Sequence, residues 1–197
     1  MPSRRLDIIP IIHTEADLGR LADRVKSIAI ERGGEEEWNR ARETIASIWD
    51  RIETYARGLP EKLGGSLEGV RLYQDGLPVC GRELELVRDL AGQRSRNHKL
   101  LLELVEQGAE IEGTESPDLL LEEYRAVKAA VEAGETQTAP DTDLLERRDR
   151  FIAERIDATL RESEVGVLFI GMLHNVQAFL ADDIEVRTPL DPQSHAA

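Results

Sequence analysis

The chain of 197 residues is poor in cysteine and aromatic residues and has no long apolar run. Its single cysteine, Cys80, excludes an intramolecular disulfide and a cysteine-based zinc site. The longest apolar stretch, near residues 165–173, is far too short to cross a bilayer. Residues 1–7 place two arginines before a strand-like segment and lack the apolar core of a signal peptide. We therefore expect a cytoplasmic protein with no membrane partner.

Basic residues are also scarce relative to acidic ones. Asp and Glu number 39 and Lys and Arg 25, so the formal net charge is −14. This field repels phosphate backbones, which argues against a nucleic-acid partner. Hydrophobic residues make up 41% of the chain, enough for one globular domain with a sizeable core. The partner classes that remain are a small molecule or a peptide, and we expect a homodimer as the commonest default assembly.

Short β-branched runs alternate with longer stretches of helical periodicity. The run Val165–Ile170 is continuously apolar, which is typical of a strand buried on both faces of a parallel sheet. The pattern predicts a single α/β domain over residues 1–188, with a mainly parallel sheet of about four or five strands, helices on both faces, and a flexible tail over 189–197. The predicted strands are 6–12, 70–73, 109–113, 165–170 and 184–186.

Helical periodicity predicts five long helices between these strands. The first ends at Gly33-Gly34, and the third carries a kink or break near Gly92. An alternative role for two of them, 35–57 and 143–161, is an oligomer interface, which exposed apolar surface on either would favour. The predicted helices start at Thr14 or Asp17 and then cover 35–57, 81–108, 117–133 and 143–161.

Candidate functional residues follow the predicted strands, since ligands of open parallel sheets bind beyond the carboxyl ends of the strands. Those positions hold His13, Gln74-Asp75, residues 112–115 and His174. A neutral imidazole is a metal ligand and a general base near neutral pH. A carboxylate beside the two histidines would complete a site for Mn²⁺, Co²⁺ or Zn²⁺. The alternative is that each histidine caps a helix or packs in a loop.

Two glutamates are candidates for that carboxylate. Glu112 lies near the end of a strand whose helix-covered face should be apolar, and a buried acid there is costly unless it is paired or functional. Glu115 precedes Ser116-Pro117 and could instead favour a helix N-terminus. The sequence therefore favours Glu112 over Glu115. Arg148 belongs to a charge run typical of a solvated helix face, but its planar donors could also hold an anion or a carboxylate.

The pattern Pro10-x-x-His13 and Gly171-x-x-His174, with Arg148-Asp149 before the second histidine, resembles the TraB/PrgY/TIKI family of the erythromycin-esterase and ChaN-like superfamily. The C-terminal segment ERRDRFIAERIDATLRESEVGVLFIGMLHNV carries most of the likeness. Pro10 stands where the family has glycine, and proline restricts the backbone beside His13.

The resemblance implies an α/β fold, divalent-metal dependence and, in some members, hydrolytic activity. His13 and His174 would then be metal ligands or acid–base groups. Glu112, with Glu115, would hold the metal or activate water, and Arg148 would orient a carboxylate or the substrate. We accordingly expect a metal-dependent hydrolase, with catalytic Glu112, Arg148 and His174. The alternative is a non-catalytic protein of the same superfamily that binds a small molecule or a protein partner.

Overall fold

The structure is a computed structural model, and it describes residues 4–12, 14, 21–93, 95–134 and 141–190. It contains the alternating strands and helices that the sequence predicts, which confirms the α/β fold. The strands are β1 (Arg4–Ile11), β2 (Val70–Gln74), β3 (Glu110–Glu112), β4 (Val165–Gly171) and β5 (Ile184–Arg187). The helices are α1 (Ala22–Arg57), α2 (Leu59–Lys62), α3 (Glu83–Gly92), α4 (Arg96–Glu106), α5 (Pro117–Glu132) and α6 (Thr142–Thr159), with a short 3₁₀ helix at Val176–Phe179.

The five strands form one parallel sheet in the order β3-β2-β4-β1-β5. Strand β4 lies at its centre, with Leu168 beside Ile8 of β1 and Tyr73 of β2. Both faces of β4 are covered, since residues 166–170 are all buried. This confirms the interpretation of Val165–Ile170 as a strand buried on both faces.

Alternating side chains of the strands build a core on each face of the sheet. On one face, Ile9 and Val167 belong to a cluster with Trp49 of α1 and with α3 and α4. On the other face, Leu168 belongs to a cluster with Ile156 of α6. Helices therefore cover both faces, as predicted. The helices 35–57 and 143–161 both contribute apolar residues to these cores. The exposed large hydrophobic residues lie elsewhere among the described residues, at Leu121, Tyr124, Met172 and Leu173.

Helix α1 bends at Gly34, whose φ of 81° lies outside the helical region and suits glycine. The predicted stop at Gly33-Gly34 is therefore a kink between two helical segments. Further along, the indole Nε1 of Trp49 donates to the carbonyl of Ile12, 3.0 Å away, at the carboxyl end of β1. Further along the same helix, the Tyr55 hydroxyl donates a hydrogen bond to Asp7 within β1. The two hydrogen bonds together fix the position of α1 along β1.

The break predicted near Gly92 separates α3 from α4. Helix α3 ends at Gly92, and α4 begins at Arg96 after the cap residue Ser95. The Ser95 hydroxyl accepts from the backbone N–H of His98, which satisfies a donor of the first turn. Two helices therefore occupy the predicted helical region 81–108. Residues 189 and 190 of the predicted tail belong to the described part of the chain, and Leu190 packs against the core, whereas residues 191–197 lie outside the described residues.

Candidate functional site

Asp75, Glu115 and His174 come together at the carboxyl edge of the sheet. One potential ligand atom of each lies within 4.8 Å of the others. Asp75 directly follows β2, whereas Glu115 and His174 lie a few residues beyond β3 and β4. These three strands are adjacent and parallel, so their carboxyl ends meet at one edge. The edge predicted to hold a site therefore brings together two carboxylates and an imidazole.

Gly171 places both Asp75 and His174. Its backbone N–H donates to Asp75 Oδ2 at 2.9 Å, and its carbonyl accepts from the backbone N–H of His174 at 3.2 Å. A Cβ at position 171 would lie only 3.0 Å from Asp75 Oδ2. The glycine of the Gly-x-x-His motif thus permits a close approach to Asp75 and forms the turn that returns His174 to the edge.

Glu115 is fully buried and is held by backbone hydrogen bonds beyond the end of β3. Its N–H donates to the carbonyl of Leu77 at 3.0 Å, and its carbonyl accepts from the N–H of Val79 at 2.9 Å. The approach requires glycine at position 113, since a Cβ there would lie 2.7 Å from Val79 Cα. The chain after β3 therefore continues against the segment after β2, which fixes Glu115 beside Asp75.

Arg148 of α6 holds the two buried carboxylates in place. Its guanidinium donates to both oxygens of Glu115, at 2.6 and 3.2 Å, and to Asp75 Oδ1 at 2.9 Å. It also pairs with Glu123 of α5, whose side chain is more exposed. Although burial opposes the charged form, the carboxylates of Glu115 and Asp75 keep the pKa of Arg148 above its ordinary value. Arg148 is thus a buried, charged group that orients carboxylates.

Asp149, the next residue of α6, orients His174. Asp149 Oδ1 lies 2.5 Å from His174 Nδ1, and Oδ2 accepts the backbone N–H of Asn175 at 2.8 Å. A carboxylate at Nδ1 holds a proton there, which leaves Nε2 as the nitrogen of the neutral ring that carries the free lone pair. His174 Nε2 lies 3.7 Å from Asp75 Oδ2. This carboxylate–imidazole arrangement is typical of histidines that bind metals and of histidines that act as general bases.

Negative charge exceeds positive charge inside this cluster. Three buried carboxylates, those of Asp75, Glu115 and Asp149, accompany one buried guanidinium, that of Arg148. With His174 neutral, the formal excess is two negative charges. Burial raises the pKa of Glu115, and Arg148 only partly offsets that effect. The cluster is therefore an environment that favours a bound cation or a retained proton.

The structure brings two of the predicted metal ligands, Glu115 and His174, into this group, together with Arg148. Glu112 lies outside it: its carboxylate pairs with Arg71 of β2 and lies 3.8 Å from Arg155. The ion pair with Arg71 explains why an acid is tolerated within β3. The glutamate that lies beside Asp75 and His174 is Glu115, whereas the sequence favours Glu112. His13, the other predicted ligand, lies outside the described residues.

Two residues of the cluster, Asp75 and Asp149, are not among the predicted metal ligands or catalytic residues, although the sequence places Asp75 at a strand end and Asp149 in the Arg148-Asp149 pair. Asp75 directly follows β2, and this position at a strand end is the sequence feature that points to the site. An Asp-Gly pair is also typical of a turn, however, so a turn explains the aspartate equally well. Asp149 lies in a charge run whose ordinary interpretation is a solvated helix face. The structure buries both Arg148 and Asp149 while leaving the flanking residues Arg147 and Arg150 half exposed. One helical turn therefore contributes two buried side chains to the candidate site.

The comparisons identify no relative. No family model matches the chain, and neither a curated protein nor a solved structure does. The resemblance to the TraB/PrgY/TIKI family therefore stays a hypothesis that rests on the two His motifs and the Arg148-Asp149 pair. Within the part of the chain that the structure describes, none of the helices has the length and apolar composition needed to cross a membrane.

Proposed function

We propose that the protein is a metal-dependent hydrolase whose site is formed by Asp75, Glu115 and His174. The observation that carries this proposal is the His174 geometry. Asp149 holds Nδ1 at 2.5 Å, and Nε2 lies 3.7 Å from Asp75 Oδ2 within the same buried, acidic cluster. Mixed carboxylate and imidazole donors suit Mn²⁺, Co²⁺ and Zn²⁺ better than an all-oxygen set does.

The donor atoms that such an ion needs are present. Arg148 contacts Asp75 Oδ1, so Asp75 Oδ2 is the oxygen turned toward His174. Glu115 is bonded by Arg148 at both oxygens, but a carboxylate offers about four lone-pair directions, so an oxygen can accept a second partner. Asp75 Oδ2, Glu115 and His174 Nε2 would therefore hold the ion.

The surrounding residues would keep these donors in position. Arg148 holds both ligand carboxylates and compensates part of their charge. Asp149 keeps the proton of His174 on Nδ1, so that Nε2 presents its lone pair. A divalent ion at this place would supply a bound water of lowered pKa and polarise the bond to be cleaved. The predicted roles of Glu115, Arg148 and His174 are retained in this proposal, with Asp75 in place of Glu112.

A specific observation supports the alternative of a non-catalytic binding protein. Arg148 donates three hydrogen bonds to Asp75 and Glu115, so a protein cation already faces these carboxylates. In that case the cluster would be a structural ion-pair network beside a ligand site. The two functions predict different responses to divalent metals.

Thermal unfolding of the chelated protein, measured with added Mn²⁺, Co²⁺, Zn²⁺, Mg²⁺ or Ca²⁺, tests metal binding. An ion bound to the folded state at about 100 times its Kd adds roughly 2.7 kcal/mol, which raises the midpoint by about 5–10 °C in a domain of this size. We expect this rise for Mn²⁺, Co²⁺ or Zn²⁺, and its loss in D75N, E115Q and H174A. The matched control E112Q, which changes an acid outside the cluster, should keep it. No rise with any ion would contradict the metal site.

Hydrolysis is tested separately on the metal-loaded protein. We would measure cleavage of a p-nitrophenyl ester, a p-nitrophenyl phosphate and a chromogenic peptide. We expect turnover of at least one substrate class, retained in E112Q and lost in E115Q. Metal binding without cleavage of any of them would favour the non-catalytic alternative. The cytoplasmic location and the homodimer stay predictions, for which cell fractionation and sedimentation of the full chain are the measurements.

A further inference from the structure

A groove of about 1010 Å³ lies between α1 and the segment that follows β5. It shares no lining residue with the candidate metal site. Helix α1 and the adjoining α2 form one wall, and residues 187–190 form the other. The positively charged and apolar side chains that line it are Arg51, Tyr55, Lys62, Arg187, Pro189 and Leu190, and Asp50 is the acid in its lining.

Beside this groove, strands β1 and β5 carry charged side chains on the face of the sheet that α1 covers. The rest of that face is mainly apolar. In the register of β1 and β5, Asp7 is opposite Arg187. The neighbouring residues Leu6 and Val186 belong to the core on the α6 face, so Asp7 and Arg187 are on the α1 face. Elsewhere on that face the strands contribute apolar residues to the core. A polar floor at this edge is therefore a local feature rather than a general property of the sheet.

The buried carboxylate of Asp7 does not offset the cations of the groove, because Arg5 already pairs with it. Asp7 is 2% exposed. Its carboxylate accepts from the Tyr55 hydroxyl at 2.8 Å and from Arg5 at 3.1 Å. Arg187 pairs only with Glu185 among the described residues, and both side chains are about half exposed. Such exposed pairs contribute little, so Arg187 can exchange Glu185 for a ligand.

The other two cations of the groove, Arg51 and Lys62, form no ion pair with a carboxylate of the described residues. Arg51 donates to the carbonyl of Leu190 at 3.4 Å. The Lys62 ammonium lies over the Tyr55 ring, 4.0 Å from its centre. Asp50, the acid that lines the groove, is held by Arg96. The groove is therefore a positively charged surface in a chain whose net charge is −14.

We propose that this groove binds a small organic anion, a phosphate or carboxylate attached to an apolar body. The guanidinium groups of Arg51 and Arg187 would hold the oxyanion, since their planar donors match phosphate and carboxylate oxygens. The Tyr55 ring with Pro189 and Leu190 would contact the apolar body. Lys62 adds positive charge beside the ring. This site is independent of the proposed hydrolase function.

Phenyl phosphate is a suitable probe because it joins a dianion to an aromatic ring. We would titrate it by calorimetry into the full chain, with chelator present and ionic strength fixed, and use phenol and benzoate as comparison ligands. We expect saturable binding of phenyl phosphate, weaker binding of benzoate, and none of phenol. R51Q and R187Q should each weaken phenyl phosphate binding about tenfold, which corresponds to about 1.4 kcal/mol.

Arg82 supplies the matched control, since its side chain is 73% exposed and pairs with Glu85. R82Q removes the same charge from another surface and should change the Kd less than about twofold. H174A should also leave it unchanged. The proposal is overturned by an absence of saturable binding up to about 10 mM, by R51Q and R187Q variants that bind like the parent, or by a loss of binding in H174A. Circular dichroism of each variant confirms that the comparison is made between folded proteins.

Discussion

Two buried arginines, Arg71 and Arg148, each contact three carboxylates, but the two clusters differ in how deeply those carboxylates are buried. Both arginine side chains are 4% exposed. The partners of Arg71 reach solvent: Glu110, Glu112 and Glu164 are 66%, 20% and 16% exposed. The two principal partners of Arg148, Asp75 and Glu115, are 4% and 0% exposed. The carboxylates that pair with Arg71 are therefore in contact with solvent, whereas Asp75 and Glu115 are buried together with Arg148.

Because of this difference in burial, the pKa values of the carboxylates shift in opposite directions in the two clusters. Arg71 lowers the pKa of Glu164, because its hydrogen bonds outweigh the modest cost of burial. Burial raises the pKa of Glu115 despite the contacts with Arg148. The first cluster is therefore satisfied by its own ion pairs. The second retains excess negative charge next to His174, which is the physical basis for proposing a cation there.

Replacing each arginine by methionine should give the largest effect and should separate the clusters. R148M leaves two buried carboxylates without their guanidinium, so we expect a loss of about 3–5 kcal/mol in the free energy of unfolding. R71M leaves carboxylates that can regain water, so we expect a loss of only about 1–2 kcal/mol. Urea denaturation of both variants gives these values. Equal losses would show that exposure of the partners does not distinguish the two clusters.

The pH dependence of stability should have opposite signs in the two clusters. The raised pKa of Glu115 means that its contribution to stability is fully present below the unfolded pKa of 4.5 and is lost as pH rises through the folded value. The lowered pKa of Glu164 means that its contribution is present above 4.5 and is lost as pH falls through the folded value. E115Q should therefore gain stability relative to the parent as pH rises, and E164Q should recover relative to the parent as pH falls.

Denaturation midpoints of the parent, E115Q and E164Q, measured between about pH 3 and about pH 8, test these signs. The difference between each variant and the parent is the quantity to plot, since it removes the titration of all other groups. Parallel difference curves for the two variants would contradict the contrast between the clusters.

A further prediction concerns the positioning of His174. D149N removes the carboxylate that fixes Nδ1–H, so we expect metal affinity to fall about 10- to 100-fold with the fold retained. D157N is the matched control, because Asp157 lies on the same helix but is 55% exposed and pairs with Arg4. Calorimetric titration of the metal gives both affinities. A D149N variant that binds metal as tightly as D157N would show that Asp149 does not position the ligand.

The sequence predicts the fold better than the site for a physical reason. Apolar runs such as Val165–Ile170 determine strands locally, and parallel pairing then follows from the helices between them. Strand ends also locate His174 correctly at the carboxyl edge. The pairing partner of a charged residue is not local, however. Glu112 appears as an unexplained acid in the sequence only because Arg71 lies on another strand, 41 positions away.

The remaining site residues depend on close approaches that no local pattern encodes. Gly113 brings Glu115 inward against Val79, and the Gly171 N–H orients Asp75 from a different strand. Arg148 and Asp149 enter the site because one turn of α6 faces the sheet edge, although their neighbours are charged and exposed. From its composition, this charged segment of α6 is expected to be a solvent-exposed helix face. Only the packing of α6 against the sheet shows which of its charged residues are buried.

The most direct test of the central claim compares two glutamates near the same strand, one in each cluster. We would titrate Mn²⁺ or Zn²⁺ calorimetrically into the chelated parent, E112Q and E115Q. We expect the parent and E112Q to bind one ion with similar affinity, and E115Q to bind it at least about tenfold more weakly. A parent that binds no ion, or an E115Q variant that binds as tightly as E112Q, would contradict the account.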